Sequence, residues 1–215
     1  MEIPYTVEVR PDTGLFNGKL GIWLFLASEV MLFGALFSSY ILLRVGSTEW
    51  PRGYEELSVP LAFFNTIVLI SSSVTMVMAW ASLRLHDFGK FRLYLGATIL
   101  LALTFLVVKY FEYKEKFEHH LVPGPHFDMS LPQAAQQQLF FSIYFMLTGI
   151  HAAHMIVGIV LMFVILVMAM RNRFSSAYYT PVEISGLYWH FVDIVWIFLF
   201  PLLYLLGAHL GAHGG

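Results

Sequence analysis

The sequence predicts an all-α fold: a polytopic bundle of five transmembrane helices, with the N-terminus in and the C-terminus out. Three observations carry that reading. Of the 215 residues, 58% are hydrophobic and only 12% charged, with a mean hydropathy of +0.71, whereas a soluble domain carries about 25% charged residues. The apolar residues gather into five stretches, each near or beyond the roughly 20 residues that cross a bilayer core. Tyrosine and tryptophan collect at stretch ends, at Tyr5, Trp50, Tyr54, Tyr110, Tyr113, Tyr178 and Tyr179, as an interfacial aromatic belt does.

The first 18 residues are polar and punctuated by proline. They lack the charged and apolar regions of a secretory signal, so insertion through the spans themselves is expected. The first span covers about 20–43, between Lys19 and Arg44. The second covers about 59–83 and the third about 91–110. The fourth, about 139–170, is long enough to tilt or to project from the membrane. The fifth covers about 184–208, and residues 210–215 form a short tail. Together 19–209 make one transmembrane domain without an internal repeat of fixed period. Arg10, Lys19, Arg84, Lys90, Arg92, Arg171 and Arg173 fall on one side of these spans. Arg44, Arg52, Lys109, Lys114 and Lys116 fall on the other, among many acids. The excess of Lys and Arg on the first side places the N-terminus in the cytoplasm.

Several function classes are excluded. A net charge of −2 without a basic run offers nothing to nucleic acid. The absence of cysteine removes disulfides, thiolate nucleophiles, iron–sulfur clusters and thiolate-bound copper from this chain. No HExxH, phosphate-binding glycine loop or nucleophile elbow is present.

The chemistry therefore lies in polar residues inside the spans. An ionisable group at that depth costs roughly 2.5–3.5 kcal/mol unless it faces protein, water or an opposite charge. Span one carries Glu29 near its middle; span two carries Asn65, Thr66 and Ser71 to Ser73. Span four holds His151 and His154, three apart on a face with Thr148 and Gly158. Span five, YWHFVDIVWIFLFPLLY, holds His190 and Asp193, also one turn apart. The serines and glycines suit close helix packing, and the histidines suit either interhelical hydrogen bonds or metal or haem ligation. A mid-span carboxylate such as Glu29 is a functional candidate by default. Span five is expected to face span one or four, with Asp193 paired to an imidazole or a hydroxyl.

Three imidazoles within the spans could hold one haem at most, never a multi-centre oxygen-reducing site. The connecting segment FEHHLVPGPHFD brings Glu118, His119, His120, His126 and Asp128 close in sequence, but the irregular spacing suits adventitious zinc or copper more than a built site. A proton-coupled carrier is a further class to weigh. Five spans without two equal halves, and with Pro201 only at the far end of the last span, fit it poorly.

Five segments, LFLASEVMLFGALF, FNTIVLISSSVTM, YFEYKEKFEHH, YFMLTGIHAAHMIVG and YWHFVDIVWIFLFPLLY, resemble in content and order subunit III of the haem–copper terminal oxidases, especially cytochrome c oxidase. The resemblance runs from about Lys19 to Leu206. Longer family members carry two additional N-terminal helices set apart by a cleft. This sequence starts at the five-helix part, which implies the short bacterial form. The resemblance implies an accessory, non-redox subunit that holds no haem or copper, packs against the haem–copper catalytic subunit I, binds phospholipid, and supports proton uptake and durability in turnover. It also implies a copper-bearing subunit II as partner, a small subunit IV as a further candidate, and a place in the bacterial plasma membrane. Glu29 matches the family's intramembrane carboxylate, and Asn65, His151, His154, His190 and Asp193 its polar interior. Arg84, Arg92 and Arg171 are candidates for lipid phosphates. A quinol oxidase of the same superfamily is the alternative, with a membrane haem b or quinone protein, or the carrier, behind it.

Overall fold

The computed structural model describes residues 17–47, 49–124, 127, 130, 133–171, 173–174 and 179–206. The chain forms α1 (Asn17–Gly46), a short α2 (Gly53–Glu56), α3 (Val59–Arg84), α4 (Phe88–Glu118), α5 (Ala134–Met170) and α6 (Thr180–Phe200), closed by a π-helical turn (Pro201–Leu205). No strand occurs among the described residues. Five helices, all but α2, are long and apolar enough to cross a membrane. An odd number of crossings leaves the start of α1 and the π-turn on opposite membrane faces, here called the Lys19 face and the Trp50 face.

Four of the spans share one packing rule. The buried residues of α3 include Ala62, Asn65, Leu69, Ser72, Met76, Ala79 and Leu83, and those of α4 include Phe91, Leu95, Thr98, Ala102, Phe105, Lys109, Glu112 and Lys116. Each series steps alternately by three and four, as do Phe141 to Ala169 in α5 and Val182 to Leu199 in α6. That 3.5-residue repeat keeps one seam of each helix turned inward in left-handed packing. On α4 the seam continues without a break from apolar residues into Lys109, Glu112 and Lys116.

Helix ends follow from local chemistry. His86 (φ 63°) closes α3 in the left-handed region, and Asp87 N–H reaches back to the Ser82 carbonyl at 2.9 Å. His120 (φ 54°) ends α4 the same way, with Leu121 N–H on the Lys116 carbonyl at 3.1 Å. These are six-to-one C-caps built on histidine where glycine is usual. Asp87 then caps α4 by accepting from Lys90 N–H at 3.1 Å, and Lys90 Nζ pairs with it at 2.9 Å. That hydrogen bond holds the Asp87 carboxyl below its ordinary range. Proline in the first turn starts α3 and α6. Pro201, without an N–H, ends regular α-bonding in α6 and opens the π-turn.

α6 is the central helix, packed on α1, α3 and α5. Its most apolar stretch is 56% buried, against 11% for α1, which touches the bundle through a thin seam. Gly158 of α5 lets Trp189 of α6 lie flat, since a Cβ there would fall 2.8 Å from the indole. Gly53 of α2 is tighter still: its Cβ would fall 1.8 Å from the Leu203 carbonyl oxygen. Gly53→Ala is therefore expected to push α2 off the π-turn and destabilise by about 1–3 kcal/mol. The check is thermal unfolding of the detergent-solubilised protein; an unchanged midpoint would mean the two backbones are not held together.

Candidate functional site

The intramembrane polar residues divide into three groups. In the first, Glu29 of α1 and His154 of α5 meet, with Oε2 and Nε2 2.9 Å apart. His154 Nδ1 is 2.8 Å from the Ile150 carbonyl of its own helix. A carbonyl can only accept, so Nδ1 carries a hydrogen. Nε2 then either donates as imidazolium to a carboxylate or accepts from a neutral carboxylic acid. Both arrangements put one proton in the contact and leave the pair without net charge. Phe33 packs edge-on to the His154 ring at 5.4 Å, and the Tyr188 hydroxyl donates to the His154 carbonyl at 3.0 Å. The two side chains keep 15% and 17% exposure, so the pair sits where the bundle meets the membrane.

The second group lies along the α3–α6 seam. Ser73 Oγ and His190 Nδ1 are 2.6 Å apart, Trp189 Nε1–H donates to Ser72 at 3.1 Å, and Trp196 Nε1–H donates to Thr66 at 3.0 Å. Asp193 is buried on the stretch of α6 between Trp189 and Trp196. Neither of its carboxyl oxygens closes a hydrogen bond. His151, wedged between Phe105 at 5.7 Å and Trp196 at 5.3 Å, has both ring nitrogens without a hydrogen-bond partner. Asn65 is fully buried with its amide in the same condition.

This departs from the expectation that span five turns His190 and Asp193 toward spans one or four. His190, beside the seam, meets Ser73 of span two, and Asp193 gains no imidazole. The three intramembrane histidines point to different neighbours: His154 to α1, His190 to α3, and His151 into the ring cluster of α4 and α6. No two of them converge as a pair of axial ligands would.

The third group escaped the sequence reading, which counted Lys109, Lys114 and Lys116 with a connecting segment. Lys109 is buried, and its ammonium donates to Glu112 Oε2 at 3.0 Å, Tyr144 Oη at 3.2 Å and Tyr204 Oη at 2.8 Å. Its three hydrogens are thereby used up. Glu112 Oε1 accepts from Tyr144 at 2.8 Å and Tyr204 at 2.6 Å. The rings of Tyr113, Tyr144, Trp196 and Tyr204 surround the cation at 5.1–5.6 Å. One turn further, Lys116 donates to the Glu56 carbonyl of α2 at 2.7 Å. Partial burial raises the Glu56 carboxyl above its ordinary range, with Lys116 opposing. The clue in the sequence was register: Lys109, Glu112 and Lys116 continue the spacing of Leu95, Thr98, Ala102 and Phe105.

Arg84 lies over the Tyr179 ring at 4.6 Å and the Trp80 ring at 5.6 Å. Arg84 ends α3, Arg92 sits in the opening turns of α4 and Arg171 caps α5. All three thus lie on the Lys19 face, where lipid phosphates would be met. Of the segment FEHHLVPGPHFD, Glu118, His119 and His120 are described; His126 and Asp128 lie outside the described residues. Among the described residues no three His, Asp or Glu side chains converge as a metal site.

A sequence model of the family "Cytochrome c oxidase subunit III" matches residues 12–208. The chain belongs to the cytochrome c oxidase subunit III family. It is similar to proteins named cytochrome c oxidase subunit 3 from Bacillus subtilis, 34% identical over 207 residues and 94% of each chain, and from Alkalihalophilus pseudofirmus, 30% identical over 202 residues and 93% of each. The relative of that name from Corynebacterium diphtheriae is 35% identical over 191 residues, 87% of each chain. Subunit III belongs to an oxidoreductase complex, so this multi-pass chain is one component of an assembly with other oxidase subunits.

Removing one partner of the buried ion pair strands the other. Lys109→Met should destabilise by about 3–5 kcal/mol, while Lys109→Met with Glu112→Gln should recover much of that loss. Thermal unfolding of the two variants checks it; equal losses would show that the charges do not depend on each other.

Proposed function

We propose that the chain is the accessory, non-redox subunit III of a proton-pumping haem–copper oxidase that passes electrons from cytochrome c to oxygen. In this role it braces the catalytic subunit I, lies beside the copper-bearing subunit II and a small subunit IV, binds phospholipid and supports proton uptake in the bacterial plasma membrane. Haem and copper would reside in the partners. The observation that carries the reading beyond the family is the Glu29–His154 pair: one shared proton in a net-neutral contact, part-exposed at mid-helix. Such a pair joins two helices without burying a net charge and remains open to the lipid beside it. Arg84, Arg92 and Arg171 on the Lys19 face supply cations for phospholipid head groups. Cytochrome c is favoured over quinol as donor because the relatives described above are named cytochrome c oxidase subunits.

Gentle purification from native membranes tests the reading. A haem-bearing polytopic chain and a copper-bearing chain should co-purify, and a Soret band from this chain alone would overturn it. Glu29→Gln provides a finer test, because the amide can still donate to a neutral His154 Nε2. The complex should assemble in normal amounts, with altered lipid retention or proton uptake during turnover. Loss of assembly would make helix packing the main task of Glu29.

A further inference from the structure

We propose that the cavity between α3 and α6, on the Lys19 side of the bundle, seats one phospholipid, with an acyl chain in the cavity and the phosphate on Arg84. The seat rests on the phospholipid-binding part of the proposed function and gives that binding a place and a cation. The cavity holds about 230 Å³, and its walls include Met76 and Val77 of α3 and Gly186 and Leu187 of α6. Its length follows from the two helices, which run antiparallel. At the inner end Ser73 and His190 meet, 2.6 Å apart. Two turns back along each helix stand Trp80 and Glu183, which line the outer end, about 10 Å away at 1.5 Å per residue.

The cavity is therefore a slot that leads from the interface into the hydrocarbon. Val77, one of its walls, is 47% exposed, and on a spanning helix that exposure is to lipid. An occupant thus enters from the bilayer. Apolar walls suit an acyl chain and would strand a polar group. The polar ends are already engaged: Glu183 pairs with Lys19 at 2.9 Å, and His190 with Ser73. A transmembrane helix, about 10 Å across, is too wide for the slot.

Arg84 decides between a phospholipid and an uncharged molecule. One turn beyond Trp80, it lies over the Trp80 ring at 5.6 Å and the Tyr179 ring at 4.6 Å. Stacking uses the face of a guanidinium, whereas its N–H groups point outward in the plane, where a phosphate is bound. Among the described residues no carboxylate comes within ion-pair range of Arg84, which leaves the anion to a ligand. The step of one turn is about 6 Å, close to the depth of the headgroup layer on each side of the hydrocarbon core. A chain in the slot thus brings its phosphate level with Arg84. Trp80 serves both parts, as a wall of the slot and as the platform under the cation.

The test uses the assembled oxidase in nanodiscs of phosphatidylcholine and phosphatidylglycerol, with a trace of phosphatidylglycerol carrying a photoreactive diazirine in one acyl chain. Peptide mass spectrometry after illumination should find the label on α3 and α6 beside the slot, at Val77 or Leu187. Gly186→Leu should abolish that label by filling the slot; if it does not assemble, Val77→Trp closes the slot from its exposed side. Arg84→Gln should lower the label by about tenfold at limiting probe, through loss of a charge-assisted hydrogen bond. An uncharged diacylglycerol with the same diazirine should label weakly and equally in wild type and Arg84→Gln. Wild-type labelling in the slot-filling variant, or a diacylglycerol that labels the slot as strongly as the phospholipid, would overturn the seat. Label elsewhere on the chain but not beside the slot would overturn the seat alone. No label anywhere on the chain would remove phospholipid binding from the proposed function as well.

Discussion

The Lys109 ammonium, buried near the Trp50 face, sets the terms for that whole end of the bundle. Hydrocarbon offers no water to complete a hydrogen bond, so every donor must find an acceptor inside the protein. Three acceptors from three segments converge on it: Glu112 of its own helix, Tyr144 of α5 and Tyr204 of the π-turn. The π-turn opened by Pro201 is thus more than a frayed helix end, because it turns both Leu203 and Tyr204 inward. α2 completes the arrangement, its Glu56 carbonyl receiving Lys116 and its Gly53 backbone lying against Leu203. Charge satisfaction on one helix therefore fixes the position of three other segments.

Mid-bundle, the same requirement is met differently. Hydroxyls of α3 answer side chains of α6 at Thr66–Trp196, Ser72–Trp189 and Ser73–His190, which stitches that seam through its length. Asn65 and Asp193 stay unanswered within it, as does His151 of α5 beside it. Each buried group left so costs roughly 1–3 kcal/mol, and three together are a substantial burden for a fold of this size. Aromatic packing offsets it: Trp189, Trp196 and Phe105 are fully enclosed around these groups. Apolar residues at these positions would carry no such cost.

Much of this was legible in the sequence. Hydropathy over 20-residue lengths found the five spans because membrane thickness imposes that length, and isolated polar residues stood out because hydrocarbon makes them conspicuous. The pairing of those residues was less legible. His190 and Asp193 share a helix face, but which neighbour that face meets depends on how the seams of four helices interlock. Lys109 was misplaced for a different reason. Charge near a span end reads as an interface signal, and only the continued three-and-four spacing reveals that α4 carries its charges inward. The histidine caps at His86 and His120 were hidden too, because glycine is the usual mark of that turn.

The least embedded helix gains meaning from this contrast. α1 buries Leu26, Phe33 and Tyr40, one residue every seven, and leaves most of its surface to lipid or to other oxidase subunits. Its polar ties are Lys19–Glu183 at one end and Glu29–His154 near the middle, both partly exposed. The Lys19–Glu183 tie, partly solvated, contributes little to stability, whereas Glu29–His154 faces hydrocarbon, where losing either partner would strand the other.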